Sequence, residues 1–281
     1  MNAEKTDYEL LYNPRRVVTD YQQIFDRWAI ESEQARANLD SYLDVPYGPT
    51  RAETLDLFRA KGKSRGVLMY IHGGYWRALD KKQFSFVAPA LVEAGVTVAV
   101  PNYALCPTVQ VEDIVLQTVQ ACAWLYRNGT NFGAPSHRLY VCGHSAGGHL
   151  AAMMLCCQWP KYAPDLPAKV VSAAISISGL YDLTEIVKVP SINADVRLTE
   201  KSAMKVSPAF MPPATDAPFY TAVGGNENEG FHLQNALIAR RWGKFLGEEI
   251  LCPGDNHFSV LDQLSMANGR VFKGVLRIMG A

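Results

Sequence analysis

The chain has 281 residues, 48% of them hydrophobic and 19% charged, with a formal net charge of zero. That length and apolar content suit one large globular domain with embellishments and a sizeable core. The charge balance argues against nucleic acid and against a charged membrane surface as partner, and no apolar run is long enough to insert in a membrane.

The polar start, Met1-Asn2-Ala3-Glu4-Lys5-Thr6-Asp7, has no apolar signal region, which points to the cytoplasm. Residues 19–40 predict a helix, because Tyr21, Ile24, Phe25, Trp28 and Ala29 keep helical spacing, with Thr19 or Asp20 as its cap. Residues 42–49 read as a connector, and residues 53–58 alternate as a strand with one exposed face does. Residues 66–71 form a continuous apolar run, as in a strand buried on both faces, and lead into His72-Gly73-Gly74-Tyr75-Trp76. A helix is expected over 81–94, a strand over 96–100 and a helix over 111–128. The apolar run 138–142 precedes Gly143-His144-Ser145-Ala146-Gly147, and a helical stretch follows it. Further strands are expected at 170–176, 219–223 and 248–253, with a C-terminal helix over 269–279. Strands alternating with helices imply a mostly parallel sheet covered on both faces. Residues 177–218 break the alternation and read as a cap-like insert over the strand ends, within a single domain spanning 1–281.

The six cysteines (Cys106, Cys122, Cys142, Cys156, Cys157 and Cys252) form no C-x-x-C pair and mostly sit in apolar segments. They read as reduced core residues, with neither a disulfide nor a zinc site.

The chemistry starts at Ser145. A G-x-S-x-G between a strand and a helix is a nucleophile elbow, a sharp turn that projects a serine hydroxyl above the sheet edge. The hydroxyl needs a base to take its proton and a carboxylate to orient that base, here expected in the chain order serine, acid, histidine. Three histidines follow Ser145. His149 lies one turn along the elbow helix and reads as packing, and His232 falls at a helix start. His257 lies in the loop after the last strand, where the base belongs. For the acid, Glu227 after the 219–223 strand is preferred over Glu229, with Asp182 as an outside candidate; Asp255 is too near His257 in sequence to orient its ring. The oxyanion donors expected are the backbone of Ala146 and of the Gly73-Gly74-Tyr75 loop, with His72 holding that loop. Tyr75 and Trp76 are assigned with His144 to substrate binding, although either aromatic could instead anchor the loop in the core.

These residues resemble an α/β-hydrolase of the esterase/lipase superfamily. The His72-Gly73-Gly74-Tyr75-Trp76 motif and the Gly143–Leu150 elbow are similar to those of kynurenine formamidases, also called arylformamidases. So are the acid segment Val223–Glu227 with Phe231, the loop Asp255-Asn256-His257-Phe258, and the stretches Asp44–Gly48 and Ser178–Leu183. The resemblance covers most of the chain and departs at Gly230, where many relatives carry glutamate. It implies a Ser145–Glu227–His257 triad and cleavage of N-formyl-L-kynurenine to kynurenine and formate. The expectation is a serine hydrolase for a small formamide or ester, with no metal or organic cofactor and with room for a homodimer. A carboxylesterase for short acyl esters and a non-catalytic binding protein on the same fold are the rival readings.

Overall fold

The apolar runs become the strands of one eight-stranded sheet in a computed structural model that describes residues 6–135 and 137–280. Residues 1–5 of the polar start lie outside the described residues. The strands are β1 (Ser41–Pro46), β2 (Thr54–Phe58), β3 (Val67–Ile71), β4 (Thr97–Pro101), β5 (Leu139–His144), β6 (Val171–Ile177), β7 (Phe219–Gly224) and β8 (Leu246–Cys252). Their order is β1-β2-β4-β3-β5-β6-β7-β8, with β2 antiparallel to both its neighbours, β1 and β4, and every other pair parallel.

Side chains of β3 and β5 alternate between two buried clusters, one on each sheet face. Val67, Met69, Ile71, Leu139 and Val141 face the elbow helix (Ala146–Cys156) and the helix Val111–Asn128. Leu68, Tyr70, Tyr140 and Cys142 face the helix Tyr21–Asn38 and the C-terminal helix Arg270–Ile278. Each such side chain, fully buried, contributes roughly 1.5–3 kcal/mol, which explains why these strands carry no polar alternation. The chain leaves β3 toward β4 on one side and β5 lies on the other, so a crevice opens between the carboxyl ends of β3 and β5.

Several expectations are corrected. The connector at 42–49 is largely β1, whose mostly exposed side chains hide it from a pattern based on apolar alternation. β2 has no exposed face: Leu55, Asp56, Leu57 and Phe58 are all buried because the strand lies between β1 and β4. The helix expected over 81–94 is two 3-10 turns, Lys81–Gln83 and Ser85–Val87, followed by a short helix, Ala88–Glu93, with Pro89 in its first turn. Asp20 occupies the N-cap of Tyr21–Asn38 without a side-chain bond to the helix.

Residues 177–218 supply three short helices, Thr184–Val187, Pro190–Val196 and Glu200–Lys205. Their Ile186, Ile192 and Val196 join the same buried cluster as Leu150 of the elbow helix. The N-terminal segment, which the sequence pattern left undefined, folds as a helix Tyr8–Tyr12 and a turn Pro14–Arg16. It is strapped to two loops and to the first turn of the helix Pro190–Val196. Asn228 Nδ2 donates to Leu10 O at 2.7 Å, Ser191 N and Oγ donate to the Glu9 carboxylate at 2.8 and 2.7 Å, and the Tyr75 hydroxyl donates to Tyr12 O. Gly230 permits this docking, since a Cβ there would fall 2.5 Å from Leu11 O and 2.7 Å from the Tyr12 ring.

Candidate active site

Ser145 sits between β5 and the elbow helix with φ +57° and ψ −119°, a strained conformation for a non-glycine residue. Steric crowding dictates its neighbours. A Cβ on Gly143 would lie 2.0 Å from Gly147 O, and one on Gly147 would lie 2.0 Å from Ile71 O. The turn can therefore close only with glycine at both positions, and Ser145 is held at the crevice between β3 and β5.

His257 comes from the loop after β8 and Glu227 from the loop after β7. His257 Nδ1 donates to Glu227 Oε2 at 2.7 Å, and both side chains are almost fully buried. The other carboxylate oxygen accepts from Ser178 Oγ at 2.5 Å and from Gly224 N at 2.6 Å. These three donors stabilise the ionised carboxylate and fix its orientation. With the proton on Nδ1, the Nε2 lone pair is free to act as a base. Ser145 and His257 line the same cavity of about 290 Å³, though no hydrogen bond joins them directly; catalytic contacts of this kind tighten when substrate binds.

His144 is a second support for the His257 loop. Its Nε2 donates to His257 O at 2.7 Å, and the two rings lie 4.7 Å apart. Burial, followed by the nearby His257, drives its pKa well below the usual histidine range, so it stays neutral. Phe231 covers His257 at 4.1 Å between ring centroids.

The loop after β3 is pressed against Ser145. A Cβ on Gly73 would lie 2.9 Å from His144 O and 3.1 Å from Ser145 Cβ. Gly74 has φ +110°, and a Cβ there would lie 2.2 Å from Ala78 O, so only glycine fits. Tyr75 and Trp76 follow at φ +50° and +56°. Their side-chain bonds hold this left-handed run: Tyr75 to Tyr12 O, and Trp76 Nε1 to His149 Nδ1 at 3.2 Å. Among the described residues the N–H groups of Gly74 and Tyr75 have no protein partner. That of Ala146, the first residue of the elbow helix, has no intrahelical acceptor. His72 is buried between the Phe84 and Tyr103 rings, and its Nδ1 donates to Gly73 O at 2.8 Å.

Of the expected substrate-binding residues, Tyr75 and His144 line the cavity, but Trp76 is a correction. It is fully buried in the core, where its indole is committed to His149. His149 is buried too, its Nε2 donating to Val206 O at 2.6 Å and its pKa lowered to about 4 by burial. Glu229 opens the helix Glu229–Arg241 and is exposed, and Asp182 caps Thr184; neither meets His257. Asp255 accepts from Ser259 and Gln263. The sequence pattern did not single out Ser178, since a serine after a strand carries no signal of its own. Phe25 and Trp28, read from the sequence only as keeping helical spacing, form a cavity wall with Phe84 and Phe258.

Comparison with known proteins agrees with this architecture. The BD-FAE family model matches residues 55–218. The kynurenine formamidase of Salmo salar is 30% identical over 89% of this chain and 85% of its own, and that of Danio rerio is 30% identical over the same shares. A crystal structure of a candidate thioesterase from Silicibacter sp. TM1040 superposes with a TM-score of 0.85 at 27% identity, covering 99% of this chain and 100% of that one. No helix among the described residues is long and apolar enough to cross a membrane. The chain belongs to the BD-FAE family of α/β-hydrolases and is a hydrolase related to kynurenine formamidases and esterases.

Proposed function

We propose that the chain hydrolyses an N-formylated aromatic amine, with N-formyl-L-kynurenine as the substrate implied by its relatives, through the triad Ser145, His257 and Glu227. The observation that carries this is the 2.7 Å bond from His257 Nδ1 to a buried, fully bonded Glu227, opening on the same cavity as the strained Ser145. Ser145 Oγ attacks the formyl carbon while His257 Nε2 takes its proton. The oxyanion is received by the N–H groups of Gly74, Tyr75 and Ala146, with Gly73 shaping the loop. The imidazolium then protonates the departing aryl amine, and water attacks the formyl-serine with His257 again as base. Glu227 remains ionised and stabilises the imidazolium. Two features support a small acyl group and an aryl leaving group. The Gly73 backbone crowds Ser145 on one side, and an aromatic wall of Phe25, Trp28, Phe84 and Phe258 lines the cavity.

The test is steady-state hydrolysis of N-formyl-L-kynurenine beside p-nitrophenyl acetate and butyrate, with Ser145→Ala as control. The formamide is expected to lead in kcat/KM by orders of magnitude, and the variant to lose roughly a thousandfold or more on every substrate. Turnover of the esters alone overturns the formamidase reading and leaves a carboxylesterase. Equal activity of the variant and wild type overturns the triad.

A further inference from the structure

We propose that Arg15, on the N-terminal strap, binds a carboxylate carried by the aryl part of the substrate, so that the cavity selects anionic aryl formamides or esters over neutral ones. The proposal rests on the reading of this cavity as the substrate site. Two guanidinium groups line it, Arg15 and Arg77. Arg77 is already engaged, donating to the Asp195 carboxylate and, at 2.8 Å, to Ser191 O. Arg15 has no carboxylate partner among the described residues, and its neighbour Arg16 takes Asp7 at 3.6 Å.

The Arg15 guanidinium lies instead over two rings, 5.1 Å from the Tyr21 centroid and 5.7 Å from that of Phe25. Stacking of this kind positions the planar group without using its N–H donors, which remain available for a bidentate anion. Phe25 is also part of the aromatic wall, so the cation and the aryl-binding surface are contiguous. The charges facing the cavity are Arg15 and Arg77 against Asp195, which leaves an excess of positive charge in a cleft with apolar walls. The strap is anchored on both sides of Ser145, by Asn228 from the acid loop and by Tyr75 from the oxyanion loop. Arg15 is thereby held relative to the reacting centre. An aryl formamide with an amino-acid side chain meets both demands, its ring against the wall and its carboxylate on the guanidinium.

The experiment compares wild type, Arg15→Gln and Arg15→Lys on two matched pairs: N-formyl-L-kynurenine against formanilide, and 3-acetoxyphenylacetate against phenyl acetate. Arg15→Gln is expected to raise KM about tenfold for the carboxylate-bearing member of each pair that is turned over, a charge-assisted contact being worth about that much at a cavity rim. It should leave kcat, and both constants for the neutral member, unchanged. Arg15→Lys should recover part of the loss, since a point charge replaces the fork. The proposal is overturned if Arg15→Gln changes the anionic and neutral members by the same factor, or changes neither. The ester pair reads Arg15 even if both formamides are inert, a result that would sink the formamidase reading alone.

Discussion

The buried carboxylates Asp56 and Glu227 are held in opposite ways. Asp56 on β2 is fully buried between two basic side chains: Lys81 Nζ lies 2.5 Å from Oδ1, Arg36 bonds the other oxygen, and Asp44 N adds a donor at 2.8 Å. Glu227 is equally buried, but two of its three donors are neutral, Ser178 and Gly224, and the third is a histidine ring. The first arrangement is an ion-pair cluster that locks the helix Tyr21–Asn38 and the turn at Lys81 onto the sheet edge. The second leaves a partner that can gain and release a proton beside a charge that stabilises the gain. Burial of a carboxylate therefore does not mark an active site; the chemical kind of the partner it orients does.

Three substitutions would break or sharpen this contrast. Glu227→Gln keeps the volume but removes the charge and permits the wrong ring tautomer, so kcat should fall about a thousandfold or more with the melting temperature little changed. An unaltered kcat would mean that His257 works without an orienting charge. Lys81→Met should do the reverse, costing about 3 kcal/mol in denaturant unfolding because Asp56 loses a buried partner. Ester turnover at low temperature should be unaffected, and a loss confined to kcat would show that the Asp56 cluster serves the chemistry. Ser178→Ala removes one of three donors to Glu227, worth about 1.5 kcal/mol for a bond to a charged group. It should lower kcat about tenfold and leave KM in place. A change in KM alone would assign Ser178 to substrate contact.

The elbow was legible in the sequence because its constraint is local. Gly143, Ser145 and Gly147 are dictated by backbone atoms within a few residues and by one adjacent strand. The buried strands β3 to β7 were legible for a similar reason, each being a short apolar run of its own. Glu227 and His257 could be placed by chain order. Ser178 could not, because its meaning lies in a bond to a residue 49 positions away. β1 escaped notice since pairing, and not apolar alternation, makes it a strand. Trp76 and Phe25 show the limit most clearly. Both are aromatic and both sit in apolar contexts, yet Trp76 turns into the core toward His149 while Phe25 turns toward the cavity. Composition and spacing treat them alike, and only the tertiary arrangement separates them.

The strap that docks residues 8–16 onto Asn228 and Gly230 also orders events during synthesis. A chain made from its N-terminus can complete β3, β4, β5 and the strained elbow while residue 228 is still unmade. Residues 8–16 must then wait for contacts 218 positions downstream, and His257 arrives later still. Under the proposed mechanism a growing chain thus carries Ser145 without its base, and the cavity is complete only when the strap and the loops after β7 and β8 meet.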